Sequence, residues 1–424
     1  MADKNTFRDR TRDRRRAPAR LCAHSAAALV LAASFCVPAL HSAATTGESV
    51  ALSPPGPTGP YTVGRSDVHL TDPSRGHPWV ESAEERELMA SLWYPAEAGS
   101  GAEPAPYLTP GMADALVSGL YGSGVPRGAI DTEGSTANAL ADAPVAEGAS
   151  GLPVLLFSPG FGESRFNSTA DPEELASHGY LVVAMDHPYE STAVDMPDGR
   201  VLRQAYPERE TPTYREAISV RTQDTLFVLD ALEEGTLLPG PLDEAADTST
   251  VGMFGHSAGG LTAGEIMVDD ERIAAGVNLD GSVAYHVGDE EWARSTTHGV
   301  DRPFAYMGAG TSGADLPHHS GHHEDLRLFR AASSGPFHEV FMAEGEHRSF
   351  ADDQWALPAL EDEHGLSGRS WENRKGGIGH VDPEGSIAAQ RAYLRAFFDT
   401  YLRGADDPLV HDPSGEHPEL EPVE

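Results

Sequence analysis

The sequence predicts an α/β fold with a mostly parallel central sheet and helices on both faces, on three observations. From residue 152 onward, short apolar runs recur at 153–157, 181–185, 251–254, 273–279, 304–307 and 340–342. Helical segments at about 166–178, 213–234 and 258–270 lie between several of these runs. Strands that are apolar throughout, rather than alternating, are the kind covered by helices above and below. Third, the run 251–254 passes directly into Gly255-His256-Ser257-Ala258-Gly259 and then a helix of small residues, a strand–turn–helix sequence.

The first 44 residues stand apart. They hold Lys4 and seven arginines against three aspartates, followed by an apolar stretch from Leu21 to Leu40 and small residues at Ser42-Ala43-Ala44. A basic start, an apolar middle and a small-residue end read as an export signal, and the expected location is outside the cell. His24 and the serine and proline breaks make the stretch a poor permanent membrane span, so no stable membrane insertion is expected. Both cysteines, Cys22 and Cys36, fall inside it, so a processed chain has neither a disulfide nor a cysteine nucleophile.

Residues 45–60, rich in Ser, Thr, Pro and Gly, read as a linker. Two early strands are expected at 61–70 and 87–93. The span 96–150, dominated by Ala, Gly, Pro and acidic residues, reads as a long surface excursion with little regular structure. The last helix, about 386–403, gathers Ile387, Leu394, Phe397, Phe398 and Tyr401 and stops at Gly404. The tail 405–424 has seven acidic residues and neither Lys nor Arg, the composition of a solvated end. A single catalytic domain is thus expected over 61–404.

The net charge of −36 excludes a phosphate-backbone binder, which needs a basic footprint, so nucleic acid is not an expected partner. Without residues 1–44 the chain has 22 basic and 63 acidic residues, and Lys375 is its one remaining lysine. Such acidity reads as adaptation to high salt, where screening shortens to about 3 Å at 1 M; a melting midpoint that rises with added salt is the corresponding expectation.

The pentapeptide at Ser257 is a Gly-x-Ser-x-Gly elbow, whose glycines allow the tight turn that lifts a serine hydroxyl above the sheet end. A serine hydroxyl needs a base to take its proton. His347, in Gly345-Glu346-His347, follows the last expected strand closely enough to reach back over the sheet and is the expected base. Asp280, which ends the run 273–279, is the favoured orienting acid, with Asp315 after the next strand as its rival. Asp269 and Asp270 sit at a helix end, and Asp301 precedes its strand. Backbone donors for an oxyanion are expected from Ala258, next to the nucleophile, and from Phe161 in Ser158-Pro159-Gly160-Phe161-Gly162. His318, His319, His322 and His323 have spacing that could bind a metal, but a solvated loop over the site entrance is the favoured reading. His187 and Tyr189 end a strand on the same edge.

Together with these residues, Leu92-Trp93-Tyr94-Pro95, Phe227-Val228-Leu229-Asp230, Asn278-Leu279-Asp280-Gly281, Gly345-Glu346-His347-Arg348-Ser349-Phe350 and Gln390-Arg391-Ala392-Tyr393-Leu394-Arg395 occur in order along 61–404. In this the chain resembles the platelet-activating-factor acetylhydrolases of the plasma and intracellular type II kind, within the α/β-hydrolase fold, and especially their bacterial relatives. The resemblance implies a serine esterase for short or oxidised acyl esters that needs no cofactor, metal or calcium, and it supports Asp280 as the acid. A polyester or cutin-type hydrolase is the alternative within enzymes. A non-catalytic binding module on the same scaffold is the alternative of another class.

Overall fold

The computed structural model describes residues 48–286, 291–310 and 316–423. The expected export signal at 1–44, both cysteines and Asp315 lie outside the described residues. The chain opens with β1 (Thr62–Asp72) and β2 (Arg86–Ala96), an antiparallel pair in which β2 is buried nearly throughout. The span 96–150 departs from expectation: it contains β3 (Pro104–Pro106), α1 (Pro110–Tyr121) and β4 (Thr136–Ala141). Its alanines are apolar enough to join the core: Ala105, Ala137 and Ala139 bury on one face of the sheet.

The alternating part begins at β5 (Leu152–Ser158), followed by α2 (Ala170–Ser177) and β6 (Leu181–Met185). A small hairpin of β7 (Ala193–Asp195) and β8 (Val201–Arg203) comes next, then α3 (Thr211–Glu233) and α4 (Gly240–Ala245). The chain continues through β9 (Ala246–His256), α5 (Ala258–Asp269), β10 (Ile273–Leu279), α6 (Arg294–His298), β11 (Phe304–Ala309), α7 (Glu324–Ala332) and β12 (Phe337–Met342). It ends with α8 (Asp353–His364), α9 (Arg369–Lys375), α10 (Pro383–Arg403) and β13 (Leu420–Pro422).

Eleven strands form one sheet in the order β13-β12-β11-β10-β9-β5-β6-β2-β1-β4-β3. The six from β12 to β6 run parallel. Because side chains alternate across a strand, β5 sends Val154 and Leu156 into one core and Leu155 and Phe157 into the other. The first core packs under α3 and α5, the second under α10. Sheet and helices on both faces are those of the α/β-hydrolase fold.

Two terminal expectations are corrected. The segment read as a linker is packed: Leu52 is buried, its amide donates to Ser135 Oγ at 2.8 Å, and Val50 bridges Ile130. The acidic tail is not simply solvated: β13 adds to β12, and Leu420, with Leu409 and Val410 earlier in the tail, is buried in the core under α10. One apolar residue every few positions is enough to dock a tail whose charges stay outside.

Candidate active site

The parallel strands deliver Ser257, Asp280 and His347 to the same edge of the sheet, after β9, β10 and β12. Ser257 has φ 55 and ψ −119, a conformation that costs a non-glycine residue energy and persists only where the surroundings impose it. Those surroundings are glycines in contact. A Cβ on Gly255 would fall 2.3 Å from the backbone of Gly259, and one on Gly259 would fall 1.8 Å from the Ser158 carbonyl oxygen. Asp280 also has positive φ, 55, and its turn is held by Asn278, which accepts from the Gly281 amide at 2.7 Å and donates to the Gly281 carbonyl at 2.9 Å.

His347 Nε2 lies 3.0 Å from Ser257 Oγ, and its Nδ1 lies 2.5 Å from Asp280 Oδ2. Burial alone would raise the Asp280 pKa, but His318 and then His347 outweigh it and hold the carboxyl well below the usual carboxylate range. The site's depth favours a neutral His347, yet the Asp280 hydrogen bond and charge, with Glu163 nearby, push its pKa above the ordinary histidine value. The ring keeps one edge open to the cavity.

The loop after β5 is clamped from behind. Arg221 on α3 donates to the carbonyls of Pro159 at 2.6 Å and Gly160 at 2.9 Å, and to Ser158 Oγ at 3.0 Å. Its charge is met by Glu190, which also accepts the Gly162 amide at 3.2 Å. Beside it, His187 bridges Ser158 Oγ and Asp224, and Asp224 takes both nitrogens of the Arg86 fork. With the Pro159 and Gly160 carbonyls turned toward Arg221, and the Gly160 and Gly162 amides bonded to Glu163 and Glu190, Phe161 sits at the crest of the loop. Ala258 begins α5, so its amide has no acceptor within the helix.

A cavity of about 270 Å³ opens over Ser257. Phe161, Tyr214 and His286 form one wall, with ring centroids 4.7 and 5.3 Å apart in succession, and Tyr206 extends it 4.8 Å from Phe161. Ile218, Leu261 and Tyr285 line the remainder, with Arg209 and Arg348 as cations.

Several residues at the site went unread in the sequence. His256, inside the elbow, meets the His347 carbonyl at 2.9 Å through Nε2 and Glu163 at 3.1 Å through Nδ1. Burial opposes ionisation of Glu163, but His256, Arg348 and His347 hold its pKa far below normal. Arg221 and Asp224 had a signal, since they fall on the α3 face that also buries Ala217, Val228 and Ala231. His187 is fully buried on Ser158 and is not part of the cavity wall. The expected solvated histidine loop is corrected at His318, which is 1% exposed with Nδ1 2.7 Å from Asp280 Oδ1. Its ring satisfies a buried carboxylate, which outweighs its hydration. His319 and His322 contact each other beside Phe341.

Among known proteins, the family described as platelet-activating factor acetylhydrolase, isoform II, matches residues 53–224, a span that includes the clamped loop and Arg221 and ends before the elbow. A probable 1-alkyl-2-acetylglycerophosphocholine esterase of Arthroderma benhamiae is 28% identical over 86% of this chain and 92% of its own length. The platelet-activating factor acetylhydrolase of Bos taurus is 27% identical over 34% of this chain and 37% of its own. The solved structure of a ferulic acid esterase from Streptomyces cinnamoneus is similar with a TM-score of 0.70 and 31% identity, covering 88% of this chain and all of that one. The chain is therefore a serine carboxylic-ester hydrolase with the α/β-hydrolase fold, similar over residues 53–224 to the platelet-activating factor acetylhydrolases.

Proposed function

We propose that ester hydrolysis proceeds through a Ser257–His347–Asp280 triad. Ser257 Oγ attacks the ester carbonyl carbon while His347 Nε2 takes its proton, and Asp280 fixes the ring tautomer and steadies the imidazolium. The carbonyl oxygen, now negative, is received by the amides of Ala258 and Phe161. His347 then gives its proton to the departing alcohol, and water, activated by the same ring, releases the acid. The single observation that carries this reading is the pair of imidazole contacts, 3.0 Å to the hydroxyl and 2.5 Å to the carboxylate. Removal of the hydroxyl in Ser257→Ala should lower kcat by about 10⁴-fold or more with the melting midpoint preserved. Activity within tenfold of the unsubstituted enzyme would remove Ser257 from the mechanism.

The substrates proposed are short acyl esters; the Arthroderma benhamiae relative is named a probable 1-alkyl-2-acetylglycerophosphocholine esterase. A second reading, aromatic acyl esters as for the Streptomyces cinnamoneus neighbour, is favoured by the wall of Phe161, Tyr214 and His286, which can stack a planar ring. Parallel kcat/KM values for an acetyl phospholipid and a methyl hydroxycinnamate separate the two. We also propose export directed by residues 1–44. Expression of the whole chain should place enzyme in the medium with a new N-terminus near Ala44; retention of an intact N-terminus in the cell would refute it.

A further inference from the structure

Asp280 receives more donors than its imidazole partner requires. Its Oδ2 faces His347, while Oδ1 accepts the Ala309 amide at 2.7 Å and lies 2.7 Å from His318 Nδ1. His318 belongs to the segment between β11 and α7 and is buried. An ionised carboxylate only accepts, so the hydrogen between Oδ1 and the ring must reside on His318 Nδ1. Tyr306 Oη, 2.9 Å from the same nitrogen, can then only accept a second branch of that bond. His318 Nε2 has no hydrogen-bond partner among the described residues.

Taking Asp280 as the triad acid, as proposed above, we propose that His318 is a positioning residue for ester hydrolysis: its Nδ1–H pins Oδ1 so that Oδ2 stays aimed at His347. The ring also draws off part of the carboxylate's charge. Without that donor Oδ1 keeps only the Ala309 amide, so the carboxylate is held less firmly and becomes a stronger acceptor for His347, which then holds its proton to higher pH. The groups facing His318 are Asp280 and, through it, His347; Tyr306 from β11; and His323 and Asp325 at the start of α7. His319 and His322 flank it on its own segment, and Glu339 on β12 stands behind Tyr306 and Ser320.

The test uses the purified enzyme with p-nitrophenyl acetate, reading kcat, KM and the pH dependence of kcat/KM. His318→Leu should lose about tenfold or more in kcat with KM nearly unchanged, and its acid limb should move to higher pH. His318→Asn, whose amide can donate from the place of Nδ1, should restore kcat to within about threefold and return the limb. His318→Gln, whose amide sits at the place of Nε2, should not. Wild-type kcat with an unmoved acid limb in the leucine variant overturns the proposal, as does equal behaviour of the Asn and Gln variants. If these variants do not fold, the unsubstituted protein decides by nitrogen-15 NMR: a His318 Nδ1–H resonance at low field is expected, and a ring protonated only at Nε2 refutes the role. Asp280→Asn separates the two levels. Full activity there defeats the triad itself, whereas an inactive Asp280→Asn beside indifferent His318 variants defeats only the inference about His318.

Discussion

The two halves of the active-site rim are held by different forces. On one side, Ser257 and Asp280 keep their positive-φ backbone because glycines let main chain touch main chain and Asn278 ties its own turn. On the other side, the loop 158–162 is positioned by buried charges: Arg221 with Glu190, and Arg86 with Asp224 and His187. Contact packing fails in proportion to the atoms displaced. A buried ionic network fails abruptly, because removing one member strands the others without water. The two halves should therefore break in different ways.

The largest effect is expected on the charged side. Arg221→Leu leaves Glu190 buried without its cation and frees the Pro159 and Gly160 carbonyls, at a cost of about 3–5 kcal/mol in stability. Arg221→Lys keeps charge but not the fork, so it should recover much of the stability and little of kcat. Denaturant unfolding and kinetics on the same samples check both. If Arg221→Lys regains full activity, the loop needs only a cation and not the guanidinium fork. Next comes the packed side: Gly259→Ala forces a methyl against the Ser158 carbonyl and should cost about 3 kcal/mol with kcat reduced. An unchanged melting midpoint would show that the rim yields more readily than its contacts imply.

The smallest effect is in pH, where the histidines of the two halves differ in sign. Beside the charged network the His77 ring lies 4.9 Å from that of Tyr189, and burial with Arg86 nearby lowers its pKa to about 4; burial with Arg221 lowers that of His187. Unfolded histidines bind protons near pH 6.5, so these two contribute stability above that pH that is lost as pH falls toward their folded values. His347, raised by Asp280, does the reverse: its contribution is complete below the unfolded value and disappears as pH rises through the folded one. The lowered carboxyls of Asp224, Glu163 and Asp280 add stability above about pH 4 that acid removes. Asp171, raised by burial to about 7, opposes this loss over the same range, so the comparison is between proteins: as pH falls below about 6.5, His187→Gln should lose less of its melting midpoint than the unsubstituted enzyme. Equal slopes in the two proteins would contradict the assignment.

The parallel strands were legible because each is apolar on both faces, which leaves one reading at their length. The elbow was legible because its strand and helix flank it in sequence. The small edge strands were not: Pro104–Pro106 has two prolines and one buried alanine, and Leu420–Pro422 has one buried leucine, so tertiary docking rather than pattern makes them strands. Charges that hold the site were hidden for another reason. Glu190, Arg221 and Asp224 look like solvated residues until the strands are placed, and only the apolar neighbours of Arg221 and Asp224 on α3 hinted otherwise. His318 sat in a histidine-rich run whose composition suggested exposure, while its burial depends on a contact with a residue 38 positions away.

Both ends of the sheet close on strands poor in free donors, Pro104–Pro106 on one side and Leu420–Pro422 on the other. Proline lacks the N–H that an incoming strand would need, and Glu421 adds charge to the second border. Strong salt removes the mutual repulsion that keeps so acidic a chain dispersed. The borders keep working under those conditions, because a missing hydrogen cannot be screened, and colloidal stability then rests on covalent structure instead of on charge.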